Sequence, residues 1–230
     1  MSVDSINAHH KDLLANTTTQ KHVSVGLELG DPASRLGRGT NSIFGGAFIM
    51  KYPTDLWCYQ MILWDRKPDV VVELGTAMGG TALWFAAQFK MFELPGVVYT
   101  IDLPEGDWRM PHRAREAARA MKVEDRIHWH FVEQGSENSS VRTQMQEVCA
   151  SKRCMVVSDS DHRYEHTRWE IEFYSHLVSP GQYLVVEDTN IYSWNGWTVK
   201  GDENKDYSKK GPMEAADDFA RQHSDKFSRT

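Results

Sequence analysis

The sequence predicts a doubly wound α/β fold, a mainly parallel sheet with helices on both faces, and three observations predict it. From residue 70 onward, short apolar β-branched runs alternate with segments of helical apolar spacing, the pattern of βαβ units. A glycine-rich turn, Gly75-Thr76-Ala77-Met78-Gly79-Gly80, joins the first of these runs to the first helical segment. Acidic residues then recur where the runs end, at Asp102, Asp159 and Glu187-Asp188. In open parallel sheets that edge is where ligands bind.

Five strands follow in order: 70–74 (Val-Val-Val-Glu-Leu), 97–102, 127–132, 154–159 and 183–187. Helices are expected between them over 80–92, 111–121, 139–150 and 164–177, with spacings such as Leu83, Ala86, Ala87, Lys90 and Met91. Ahead of the sheet, residues 41–51 are rich in glycine and aromatics, and 55–64 read as a helix entering the sheet through Lys67-Pro68. Residues 1–66 are therefore expected to form a cap or lid, and 67–230 one ligand-binding catalytic domain. Residues 189–211, with Tyr192, Trp194 and Trp197, have the length and polarity of a lid or a disordered loop. A last helix is expected over 212–222.

With 230 residues and 40% hydrophobic content, the chain can bury one sizeable core. A net charge of -6 argues against nucleic acid, whose backbone demands clustered positive charge, and points to a small-molecule partner. The N-terminus lacks an apolar h-region and no apolar run is long enough to span a bilayer, so no membrane is involved and a cytoplasmic protein is expected. Cys58, Cys149 and Cys154 lack Cys-x-x-Cys spacing and read as ordinary buried thiols.

The glycine turn has the spacing Gly-x-x-x-Gly-Gly and not the Gly-x-Gly-x-x-Gly of nicotinamide dinucleotide sites. Its glycines are expected to let a ligand approach the backbone. Glu73 precedes the turn, and Asp159 ends the strand that topology places beside it. Two carboxylates repel a pyrophosphate but attract an ammonium and a sulfonium, which favours S-adenosyl-L-methionine. Glu73, Gly75, Thr76, Gly79, Gly80 and Asp159 form this part of the site. Asp102 is placed to accept the ribose hydroxyls, with Gly135-Ser136 edging the adenine.

Asp159, Glu187 and Asp188 converge at one edge with no lysine near them in sequence, and like charges that close call for a cation. Oxygen ligands of this type suit Mg²⁺ or another hard divalent ion. His162, three residues past Asp159 at the start of a helix, is positioned as a general base. His166 is expected to pack on Trp169 and Phe173, although it also stands at i, i+4 from His162. His112, Arg115, Arg119 and Lys122 form a basic stripe that reads as a solvated face.

Taken together, Lys51-Tyr52-Pro53, Tyr59-Gln60, Lys67-Pro68, residues 72–80, Gly135-Ser136, Asp159-Ser160-Asp161-His162 and residues 184–189 resemble one family. It joins cephalosporin hydroxylase-like proteins with rhamnosyl and macrolide-sugar O-methyltransferases. The resemblance spans about residues 48–227. It implies a Rossmann-like methyltransferase sheet, Mg²⁺ on Asp159, Glu187 and Asp188, His162 as base, and a homo-oligomer.

The expected function is O-methylation of a hydroxyl on a small natural product, with a sugar as one candidate. A hydroxylase-related member and a non-catalytic cofactor-binding protein are the alternatives, with a dehydrogenase behind them. Two departures stand out. Such relatives continue past the last helix with an antiparallel hairpin, so here either the sequence is shortened or the N-terminal segment or a neighbouring subunit finishes the sheet edge. Asp161 stands where relatives have a small residue, and is expected to raise the basicity of His162 or to add a metal ligand.

Overall fold

The computed structural model describes residues 41–106, 109–189 and 210–228. Two short strands come first, β1 (Asn41–Phe44) and β2 (Ala47–Met50), followed by α1 (Pro53–Arg66). The main sheet is built from β3 (Val70–Leu74), β4 (Val97–Asp102), β5 (Ile127–Phe131), β6 (Cys154–Ser158) and β7 (Leu184–Val186). Between them lie α2 (Gly80–Met91), α3 (His112–Met121), α4 (Ser139–Cys149) and α5 (Tyr164–Tyr174), and α6 (Pro212–Gln222) closes the described chain. The strand order is β5-β4-β3-β6-β7, with each neighbouring pair parallel.

Five strands therefore form where five were expected. β3 and β6 are adjacent, so Glu73 and Asp159 stand at the ends of neighbouring strands where strand order reverses. β5, β6 and β7 each end one residue earlier than expected, which leaves Asp159 and Glu187 just beyond the ladder. Their N–H groups still donate back to Leu74 O at 2.9 Å and Ser158 O at 3.0 Å, and this anchors both residues at the rim. α1 runs longer than expected because Pro53 suits the first turn and Lys67, left-handed at φ 46°, closes the end by donating to Leu63 O. Helix 164–177 ends instead at Tyr174, its last turn tightening into a 3-10 segment, Ser175–Leu177.

The sheet buries both faces, as parallel sheets do. On one face Val71, Val98, Met155 and Val157 pack with Leu83, Phe85, Ala86 and Phe89 of α2. On the other, Val70, Val72, Leu74 and Ile101 meet Val141 and Met145 of α4 and Tyr174. α2 is apolar nearly all round because it is buried nearly all round, between the sheet and the β1–β2 hairpin.

That hairpin is the element not anticipated. Gly45 and Gly46, at φ 58° and 87°, make the two-residue turn that a right-twisted hairpin needs. Gly-Gly between two apolar runs is its signature. Ala47 and Ile49 face the core, and Phe48 and Met50 face outward. The hairpin is a separate two-stranded sheet and does not finish the edge at β7, contrary to that expectation for the N-terminal segment among the described residues. No helix among the described residues is long and apolar enough to cross a membrane.

Candidate functional site

The glycine turn is held from below by Asp102. One carboxylate oxygen accepts the N–H groups of Thr76 and Ala77 at 2.9 and 2.8 Å, and the other accepts that of Leu103 at 2.7 Å. The ribose acceptor expected from sequence is thus also the cap of the loop. A carboxylate offers about four lone-pair positions, so three bonds do not exhaust it.

The glycines have a packing requirement of their own. A Cβ on Gly75, where φ is 99°, would meet Asp159 O at 2.0 Å, and one on Gly80 would meet Phe48 O at 2.0 Å. At Gly79, φ 77°, it would meet the Trp129 ring at 2.8 Å. These residues let β6, the hairpin and β5 close on the turn, so the chain's own backbone and side chains approach it closely. Gly135 lies against Asp102 and Leu103, its Cβ position 3.5 Å from Leu103 N, and the Ser136 carbonyl accepts the Tyr174 hydroxyl at 2.8 Å.

Glu73 is fully buried beneath the turn. One of its oxygens accepts the Thr100 hydroxyl at 2.5 Å, and Thr100 in turn meets the Thr76 hydroxyl at 2.6 Å. The other has no hydrogen-bond partner among the described residues. Burial pushes the carboxyl up to about 7, against the opposing pull of Thr100 and Lys51.

The acidic centre departs from expectation in one respect: a lysine does neutralise it, from 108 residues away. Lys51, at the end of β2 and only 4% exposed, places Nζ 2.5 Å from Asp159 and 3.4 Å from Glu187. The Tyr59 hydroxyl of α1 also donates to Glu187. Burial opposes the charge on Lys51, but Asp159, Glu187 and Asp188 outweigh it and hold the ammonium protonated. Burial, with Glu187 and Asp188 nearby, pushes Asp159 well above the usual carboxylate range, while Lys51 opposes this.

Glu187 is therefore engaged by Lys51 and Tyr59, while Asp159, His162 and Asp188 each offer an atom within 4.8 Å of the others. His162 Nε2 lies 3.2 Å from an Asp188 oxygen. The Asp161 carboxylate accepts from the N–H and guanidinium of Arg163 at 3.0 and 2.9 Å. His166 does more than pack on Trp169. It bonds Ser160 and Glu170, both at 3.1 Å, and lies away from the cluster that holds His162. Glu170 is fully buried and also accepts the Ser158 and Ser160 hydroxyls at 2.8 and 2.7 Å, which ties α5 to the end of β6.

Beside the acidic centre lies a cavity of about 520 Å³ between α1 and the end of β7. Its lining includes Tyr52, Asp55, Cys58, Tyr59, Glu187 and Asp188. Burial and the charge of Glu187 push Asp55 upward. Lys51, Tyr59, Asp55 and Glu170 carry roles here that the sequence reading did not assign. Lys51 and Tyr59 stood within the motifs of the resemblance, so a signal existed, but pattern alone gave it no partner. The expected aromatic loop at 192–197 lies outside the described residues.

A parallel sheet of this order, with a glycine turn after its central strand and carboxylates at successive strand ends, defines a doubly wound α/β protein, a fold class that binds ligands at the switch point. The family model Rhamnosyl O-methyltransferase/CmcI matches residues 39–230, and the chain belongs to that family. A rhamnosyl O-methyltransferase of Mycobacterium tuberculosis is 33% identical over 154 residues, which is 66% of this chain and 58% of the relative. One of Mycobacterium leprae is 29% identical over 148 residues, 64% of this chain and 59% of the relative. The chain thus spans less than two thirds of the curated relatives it matches.

Among solved structures, CmcI with Mg and SAM superposes with a TM-score of 0.53 at 19% identity, over 83% of this chain and 68% of that one. An O-methyltransferase from Bacillus cereus in complex with SAH gives 0.50 at 15%, over 96% and 86%. At these identities the likeness is one of fold.

Proposed function

We propose that the chain is a Mg²⁺-dependent, S-adenosyl-L-methionine-dependent O-methyltransferase acting on a hydroxyl of a small natural product, with a sugar as the leading acceptor class. The observation that carries this is the gathering of Asp159, His162 and Asp188 within 4.8 Å, beside the glycine turn. It puts two oxygen ligands for a hard cation and one proton acceptor at one point. The rhamnosyl O-methyltransferase relatives and the CmcI structure with Mg and SAM support the same reading. A homo-oligomer, and a cap over 1–66 on a catalytic domain over 67–230, belong to the proposal.

The residues fit both groups. The unpartnered oxygen of buried Glu73 suits the methionyl ammonium, and Asp102 suits the ribose hydroxyls. Gly75, Thr76, Gly79 and Gly80 shape the turn, with Gly135-Ser136 along the adenine edge. Asp159, Glu187 and Asp188 are the proposed metal ligands. When bound, the cofactor supplies an electrophilic methyl group and the metal supplies Lewis acidity that lowers an alcohol's pKa.

The chain's own part is to bind, orient and deprotonate. The cavity beside Glu187 and Asp188 receives the acceptor, with Tyr52 and Asp55 in its wall. His162, whose Nε2 lies 3.2 Å from an Asp188 oxygen, is the proposed proton acceptor. Asp188 then stabilises the imidazolium that forms. The test is transfer of an isotopically labelled methyl group from S-adenosyl-L-methionine to a panel of hydroxylated sugars, read by mass spectrometry. Failure of the chain to bind the cofactor by calorimetry would overturn the proposal.

A further inference from the structure

Lys51 is a fully charged group in a place where burial is costly, and neither the glycine turn nor the proton transfer uses it. Its backbone is pinned on both sides. Upstream, Ala47 and Ile49 are buried against the core and Phe48 O lies against Gly80. Downstream, Tyr52 caps α1, whose Tyr59 and Leu63 are buried. The ammonium thus reaches Asp159 and Glu187 from a fixed base, and Tyr59 holds Glu187 from the same side. Asp159 has one oxygen on Lys51 and also belongs to the cluster with His162 and Asp188. The carboxylate centre therefore has two cation positions that share Asp159, one filled by the protein itself.

We infer that Lys51 is a built-in counter-cation that shares the carboxylate centre with the divalent ion. It holds Asp159 and Glu187 in place before the ion arrives and weakens, by its charge, the grip on the ion afterwards. This rests on the metal reading above. Three carboxylates with one lysine carry a net charge that a single divalent ion neutralises. Without the lysine they repel one another when empty and hold the ion more tightly when filled. A residue that merely filled space would change stability without tightening metal binding.

The experiment uses the full chain, stripped of metal, with Mg²⁺ itself as the probe. Calorimetry gives its Kd and thermal melting gives the stabilisation it confers, for native chain, Lys51→Met and Lys51→Arg. We expect the metal-free Lys51→Met variant to melt below the native chain, its Mg²⁺ Kd to be at least tenfold lower, and Mg²⁺ to raise its Tm by more. Lys51→Arg, which keeps the charge, returns the Kd to within about threefold of native.

If Lys51→Met unfolds without metal, rescue by Mg²⁺ on refolding supports the inference, and failure of rescue overturns it. An unchanged or weaker Kd in Lys51→Met overturns it while leaving the metal reading intact. Binding by the variant but not by the native chain overturns the inference, because the lysine then replaces the ion and does not share the centre with it. No binding by either overturns both.

Discussion

Asp102 caps the glycine loop and is the proposed ribose acceptor, and the energies of the two can be separated. Replacing it by Ala strips the acceptor from three N–H groups, of which those of Thr76 and Ala77 are partly buried and that of Leu103 reaches solvent. Leaving the two partly buried donors unsatisfied costs about 2–4 kcal/mol of folding stability, at roughly 1–2 kcal/mol each. Asn at this position keeps one carbonyl oxygen for Thr76 and Ala77, so most of that loss returns. Neither variant offers an ionised acceptor to a ribose. Loss of charge-assisted bonds worth about 1.5–3 kcal/mol weakens the adenosine by about 10- to 100-fold in Kd. Calorimetry with S-adenosylhomocysteine, alongside thermal melts, reads both effects. An Asn variant that binds with native affinity would show that Asp102 only caps the loop and that the adenosine lies elsewhere.

Three further outcomes follow from the site. Asp188→Ala should lose Mg²⁺ binding by calorimetry and behave in turnover like the chelated enzyme, because too few oxygen ligands remain; full activity in excess chelator refutes this. His162→Ala should lower turnover by roughly 10²- to 10⁴-fold with cofactor and metal affinities nearly unchanged, and near-native turnover would make the histidine structural.

Glu73→Gln tests the buried carboxyl. Its folded value of about 7 lies above the ordinary glutamate value of 4.5, so the fold favours the protonated form. That stabilisation is complete below pH 4.5 and is lost as pH rises through 7. The variant should therefore melt above the native chain at pH 8, the gap closing towards pH 5, while its cofactor affinity falls. Parallel melting curves across that range would contradict the assignment.

The strands, the glycine turn and the acidic strand ends are local features, written in apolar runs of five or six residues and in the residues that stop them, so the sequence alone determined the sheet and the residues at its carboxyl edge. Adjacency of Glu73 and Asp159 was also legible, because parallel strands with right-handed crossovers allow few orders. The roles of the glycines were not, since what a missing Cβ makes room for depends on which backbone arrives opposite, and Asp159 and Phe48 come from distant elements. Nor was the division of labour among the carboxylates. Coulomb interactions act through space, and Lys51 reaches Asp159 across 108 residues of chain only because a Gly-Gly hairpin folds onto α2 and the residue that follows it is buried. Tertiary structure decided which acid meets the lysine and tyrosine and which meets the histidine, because burial fixes direction and distance where sequence fixes only charge.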